Sequence, residues 1–164
     1  MYHSKLQGCV TVFIRAYLRA STKEQDAERA KASLIQFAES HGHKIAAFYV
    51  ENVSGTVRER PELQRVLSDS HENDIILVEQ VDRLSRLNEK DWQSLKAAIS
   101  DAGLRIVSID LPTSHSALSN IDGDDFTAQM LKAINNMMLD MLAVIARKDY
   151  EDRRRRQAEG IARN

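Results

Sequence analysis

From residue 126 to residue 159 the chain carries neither proline nor glycine, and this stretch limits its possible folds more than any other feature. Without breakers, one helix of roughly 35 residues and about 52 Å is allowed at 1.5 Å per residue. A chain of 164 residues is too small to cover such a helix on all sides. Its apolar residues nonetheless lie almost all round it: Met130, Leu131, Ala133, Ile134 and Met137, then Met138, Leu139 and the run from Met141 to Ala146. A helix apolar on every side has to be buried on every side, so part of this surface is expected to pack on a second subunit. Met130, Ile134, Met137, Met138, Met141, Leu142 and Ile145 are the candidate dimer interface. Methionine is flexible and polarisable and suits a surface that repacks. The alternative is an ordinary core helix with methionine as filler.

Upstream, short apolar runs alternate with helical patterns. Residues 10–18, 45–50, 75–79 and 105–109 are rich in β-branched and other apolar side chains and read as strands. Residues 23–41 place Ala27, Ala30, Leu34, Ile35, Phe37 and Ala38 roughly on one helical face, with Gly42 as a C-terminal cap. Pro61 suits the first turn of a short helix over 61–70. Residues 89–101 form an amphipathic helix ended by Gly103. Residues 113–125, small and polar with Asp122-Gly123 as a turn signal, read as a loop. The alternation predicts an α/β fold, with a mostly parallel central sheet, flanking helices and the long helix after them.

Composition narrows the function classes. The net charge is −1 although 29% of residues are charged, so any contact with nucleic acid has to come from local patches. One such patch is Arg153-Arg154-Arg155-Arg156 in the polar stretch 147–163. Four successive arginines point to all sides of a helix, and a solvated helix end is the plain reading. The functional one lays Arg153, Arg154 and Arg156 along a phosphate backbone, adding salt-dependent affinity. Cys9 is the lone cysteine, which leaves no disulfide framework and no cysteine metal site. No apolar run nears the roughly 20 residues of a membrane span, and the N-terminus lacks a signal-peptide pattern. The expected location is cytoplasmic.

Two polar clusters follow predicted strands, Tyr17-Leu18-Arg19-Ala20-Ser21-Thr22 and Asp82-Arg83-Leu84-Ser85-Arg86. Ligands of open α/β sheets bind outside the carboxyl ends of the strands, and arginine's fork of donors suits phosphate. A serine needs activation or stabilisation of the charge it generates. Ser21 lacks a histidine in its motif and a Gly-x-Ser-x-Gly elbow, but Arg19 precedes it by two residues on the same strand face. Converging arginines would stabilise a phosphorane-like transition state. Helix N-capping is the ordinary use of such a serine. Asp82-Arg83 alone would be a surface ion pair of little worth. Asp82, Glu51 and Glu79 are the carboxylates a magnesium mechanism would draw on, but they are interleaved with arginines and form no tight cluster. No metal and no cofactor are expected, and no Gly-x-x-x-x-Gly-Lys phosphate loop is present.

Tyr17 to Thr22 with Gln25, then Ser54-Gly55, Arg60-Pro61-Glu62-Leu63 and Asp82 to Arg86, resemble the serine recombinases, the resolvases and DNA invertases, in that family's order and spacing. The resemblance runs from about Phe13 to the C-terminus. It implies an N-terminal extension over 1–12, a catalytic domain over 13–125 and a dimerisation helix over 126–164. It implies that Ser21 attacks a DNA phosphodiester to give a 5′-phosphoserine, with Arg19, Arg83 and Arg86 on the phosphate and Tyr17, Gln25, Ser54, Arg60 and Asp82 in support. Double-stranded DNA, a homodimer and a synaptic tetramer are the implied partners. Asp149-Tyr150 and Arg155-Arg156 stand where the family often carries Glu-Arg, and Ala30 where it carries a second glutamine. Members usually continue into a helix-turn-helix domain, so a chain ending at Asn164 is expected to be the catalytic and dimerisation part. A non-cleaving DNA-binding relative and a small phosphate-binding signalling domain are the rival readings.

Overall fold

The computed structural model describes residues 12–20, 24–52, 60–85, 87–119 and 126–163. Strand β1 (Ile14–Ala20) is followed by α1 (Glu24–Ser40), β2 (Ile45–Asn52), α2 (Pro61–Asp69) and β3 (Ile75–Val78). Then come the short α3 (Asp82–Ser85), α4 (Glu89–Asp101), β4 (Arg105–Ser108), a 3₁₀ helix (Pro112–Leu118) and α5 (Phe126–Ala162). The strands lie in the order β2-β1-β3-β4 and every pairing is parallel. Parallel strands joined through helices send all their carboxyl ends to one rim, which is what the expected α/β architecture requires.

Strand alternation divides the core between the two faces of the sheet. Ile14, Ala16 and Leu18 of β1 meet Leu34 and Ala38 of α1 on one face, with Ile75, Leu77, Val107 and Leu118. Tyr17, Tyr49, Ile76, Val78 and Ile106 face Leu63 and Val66 of α2 and Trp92, Leu95 and Ile99 of α4 on the other. β3 is buried at all four positions, as a central parallel strand covered on both faces should be. Gly42 and Gly103 hold φ +77° and +70°, the left-handed conformation that lets each chain turn out of its helix. Gly103 has a second reason, since a Cβ there would lie 2.7 Å from Glu72 Cγ.

Three expectations change. β1 starts at Ile14 and continues to Ala20, rather than covering 10–18. The first part of the expected loop 113–125 is the 3₁₀ helix, fixed by bonds back to the end of β4: Ser114 Oγ accepts from Ser108 N at 3.0 Å, and His115 Nε2 lies 2.8 Å from Ser108 O. The long helix forms over 37 residues, but only Leu139 and Ala143 on it are buried. All-round burial therefore does not occur within one chain. Met138 and Leu142, expected at the dimer interface, pack in part against the chain's own core, whereas Met130, Ile134, Met137, Met141 and Ile145 stay exposed. Residues 1–11 of the expected extension lie outside the described residues.

Candidate active site

β1 is flanked by β2 and β3, so the carboxyl ends of these three strands form adjacent parts of one rim. The parallel register sets Tyr17 beside Tyr49 and Arg19 beside Glu51. Period-two alternation then puts Tyr17, Arg19 and Glu51 on the α2 face of the sheet. Glu51 is 3% exposed and Tyr17 is fully buried. Glu51 Oε2 accepts from Tyr17 Oη at 3.4 Å and from Leu63 N, near the start of α2, at 3.1 Å. A carboxylate at a helix N-terminus satisfies an orphan N–H and meets the favourable end of the helix dipole.

Arg60 closes the rim from the β3 side. It is 7% exposed, and its Nη1 donates to Leu84 O at 2.9 Å and Arg83 O at 3.3 Å. The residue just before α2 thus braces the turn that carries Arg83. Asp82 Oδ1 lies 4.0 Å from Arg83 Nε. Burial raises the Tyr17 phenol well above its ordinary range, with Glu51 adding to the effect and the charges of Arg60 and Arg19 opposing it. Tyr17 therefore remains a protonated donor to Glu51.

The expected site residues separate into three sets. Tyr17, Arg19, Arg60, Asp82 and Arg83 gather at this rim. Gln25 sits exposed in the first turn of α1. Ser21, Ser54 and Arg86 lie outside the described residues, although Ser21 directly follows β1 and Arg86 directly follows α3. Glu51 is the site member that the sequence offered only as a metal candidate. Its signal was the period-two match with Tyr49 on β2, which becomes informative only once β2 is paired with β1. Glu79, a further metal candidate, pairs instead with Arg29 at 3.2 Å. Among the described residues, no three His, Cys, Asp or Glu side chains are grouped to hold an ion.

The far end of α5 reaches the same region. Asp82, Gln80 and Asp110 line a cavity of about 250 Å³ with Ile145, Asp149, Tyr150 and Arg153. Arg153 also donates through Nε to Asp149 O at 3.3 Å. Arg154 and Arg156 are exposed, and Arg155 pairs with Asp152 and Glu159 at 3.5 and 3.9 Å. The arrangement collects three guanidinium groups and a protonated phenol at the end of a parallel sheet, with the long helix alongside.

Residues 14–164 match the model of the resolvase N-terminal domain. This chain belongs to the resolvase family. It is similar to a resolvase from Escherichia coli, 34% identical over 147 residues, which cover 90% of this chain and 66% of that protein. Similar too are the transposon Tn1721 resolvase of E. coli, 29% identical over 89% of this chain and 67% of its own length, and the transposon Tn21 resolvase of E. coli, 27% identical over the same shares. The chain thus spans about two thirds of the length of these relatives. Among solved structures, the N-terminal catalytic domain of TP901-1 integrase matches with a TM-score of 0.53 and 24% identity, over 84% of this chain and 96% of that one. A resolvase family site-specific recombinase from Streptococcus pneumoniae matches at 0.51 and 18%, over 93% and 97%. At those identities the likeness speaks for the fold. Asp149 and Tyr150 line the cavity with Asp82, next to the arginine rim.

Proposed function

We propose that this chain carries the catalytic and assembly machinery of a site-specific DNA recombinase, in which Ser21 is the nucleophile. Its Oγ attacks a DNA phosphorus and gives up its proton, the P–O3′ bond breaks, the 3′ oxygen takes up a proton and leaves as a 3′-hydroxyl, and the 5′ phosphate stays on the serine. Reversal of the same step on an exchanged 3′-hydroxyl reseals the strand, so the bond energy is kept in the covalent link. Arg19, Arg83 and Arg86 stabilise the charge on the phosphorane-like transition state. Gln25 and Ser54 support the site, and Arg153, Arg154 and Arg156 contact the duplex. The observation that carries this reading is that Arg19, Arg60 and Arg83, far apart in sequence, meet at the rim where β1, the strand that precedes Ser21 in sequence, ends.

The partners under this reading are double-stranded DNA, a second copy of the chain and a tetramer in the synaptic state, in the bacterial cytoplasm at the nucleoid. The resolvases named above, from transposons, support it. No helix among the described residues is long and apolar enough to cross a membrane. The exposed row on α5 supports self-association. Replacing Met137 with Asp would place an unpaired charge in that interface, and sedimentation should show weaker dimers than the parent chain.

The deciding experiment joins the chain to a sequence-specific DNA-binding module and incubates it with a nicked suicide duplex in EDTA. A denaturing gel should show protein on a 5′ DNA end, and Ser21→Ala should abolish it. A bound fusion that yields no adduct would leave a non-cleaving DNA-binding relative as the better reading.

A further inference from the structure

Residues 137–146 of α5 are apolar at every position except Asp140. That carboxylate is half-exposed yet also binds within the protein. Its Oδ1 accepts from Trp92 Nε1 at 3.1 Å and from Lys96 Nζ at 2.9 Å, both on α4. Trp92 is 1% exposed, and an indole has a single donor and no acceptor. The polar atom of a core tryptophan therefore finds its partner on α5.

Apolar contact alone does not choose how α5 sits. At about 100° per residue, Leu139 and Ala143 lie to one side of Asp140 and are the two buried positions of the helix. Met130, Ile134, Met137, Met141 and Val144 run at 4-3-4-3 spacing on the other side, each 38–55% exposed. The two faces are of similar apolar character, so burying one in place of the other changes the transfer free energy little. Packing before Asp140 is also incomplete. A cavity of about 710 Å³ opens where Leu131, Lys132 and Asn135 of α5 face β4 and α4. Elsewhere the helix takes a hydrogen bond from Thr113 Oγ1 to Asn135 Oδ1 at 3.3 Å and packs on α3, and between these contacts the one carboxylate of its apolar stretch meets a tryptophan and a lysine.

We propose that Asp140 is a positioning residue that fixes the rotation of α5 about its own axis, and so decides which apolar face stays on the catalytic body and which is offered to a second copy of the chain. The part concerning the second copy rests on the assembly reading above; the part concerning rotation does not. The physics is that of polar groups placed in apolar helix interfaces. They add little stability over an apolar replacement, but they can select one arrangement among several. Because α5 also packs on α3, which carries Arg83, a turned helix would disturb the arginine rim as well.

The test uses the full chain with Cys9 replaced by Ser and single cysteines placed at Met137 or Leu139. In the Asp140 background, Met137→Cys should react with iodoacetamide at least about tenfold faster than Leu139→Cys, since labelling of a buried thiol waits on local opening. In Asp140→Leu the helix should persist by circular dichroism while that ratio falls to within about twofold, because labelling then samples both faces. Trp92, the only tryptophan, should shift its emission to the red. Asp140→Asn keeps the volume and an acceptor for Trp92, and should give an intermediate ratio; it decides the matter if Asp140→Leu does not fold. A ratio unchanged in the folded variant overturns the proposal. Disulfide cross-linking between copies separates the two parts: Met137→Cys should cross-link and Leu139→Cys should not. Absence of both cross-links with the labelling contrast intact would count against the assembly reading and leave the rotational role standing.

Discussion

The two ends of β1 and β2 carry the same chemistry and use it differently. At the amino end, Arg15 Nη1 donates to Tyr49 Oη at 3.0 Å, and Tyr49 donates to Asp69 at 2.9 Å. Arg15 Nε reaches Asp74 at 3.3 Å, while the backbone N–H groups of His71 and Phe13 bind the same carboxylate at 2.9 and 3.3 Å. At the carboxyl end stand Tyr17, Glu51, Arg19, Arg60 and Arg83. Arginine, tyrosine and carboxylate occur at both. Among the described residues the difference is one of sign: Asp69 and Asp74 outnumber Arg15 at the amino end, while Arg19, Arg60 and Arg83 outnumber Glu51 and Asp82 at the other. A network whose guanidinium is answered by carboxylates from within holds strands and helices together. An excess of guanidinium at a rim open to ligands retains affinity for an anion from outside.

Substitutions can break this contrast from either side. The largest effect is expected for Arg83→Ala in the fused chain, with covalent adduct formation falling on the order of 10²–10³-fold, as for loss of one transition-state donor. The Arg60 bonds end on backbone carbonyls and survive the change, so thermal melting should move by less than about 0.5 kcal/mol equivalent. Asp74→Ala should do the reverse. It strands the Arg15 guanidinium beside a residue only 1% exposed, costing about 3 kcal/mol by denaturant unfolding, with adduct formation by the folded fraction kept. Glu51→Gln, which belongs to both worlds, should cost about 1 kcal/mol and slow adduct formation about tenfold through Tyr17 and the start of α2.

The smallest effect expected is with pH, at the α5 anchor. Burial alone would raise the Asp140 carboxyl, but hydrogen bonds from Lys96 and Trp92, with the charges of Lys96 and Arg147, outweigh it and hold the group below the ordinary carboxylate range. A carboxyl depressed in the folded state stabilises docking at neutral pH, and that contribution is lost only as the pH falls through its lowered value. Trp92 emission titrated into acid should show this step, and Asp140→Asn should lack it.

How much of this was legible in the sequence depended on whether the signal was local. β3 and the α4–Gly103 boundary follow from apolar runs, periodicity and a glycine in the left-handed conformation, and both stand where the sequence put them within a residue. The 3₁₀ helix was hidden because Ser114 and His115 look like loop residues until Ser108 is beside them. Helix α3 is four residues long and is held by Arg60 from across the rim, which no window on 82–85 contains. Tyr17, Arg19 and Arg83 could be named from motifs, whereas Glu51 needed the β1–β2 register. For α5, apolar content foretold the need for a partner but not which residues the chain keeps for itself. That choice falls on Leu139, Ala143 and, in part, Met138 and Leu142.

The grip of α4 on α5 at Asp140 also has a mechanical side. From Asp140 to the end of the helix at Ala162, the rise per residue gives an arm of about 33 Å. A tilt of about 10° at the anchor carries the tip about 6 Å, twice the length of a hydrogen bond. Displacements too small to uncover Leu139 are thus geared up at Arg153, Arg154 and Arg156, which ride on that arm, and they also shift it against α3, on which it packs. Small changes in how two side chains of α4 hold one carboxylate are read out as large changes in where the basic end of the molecule can reach.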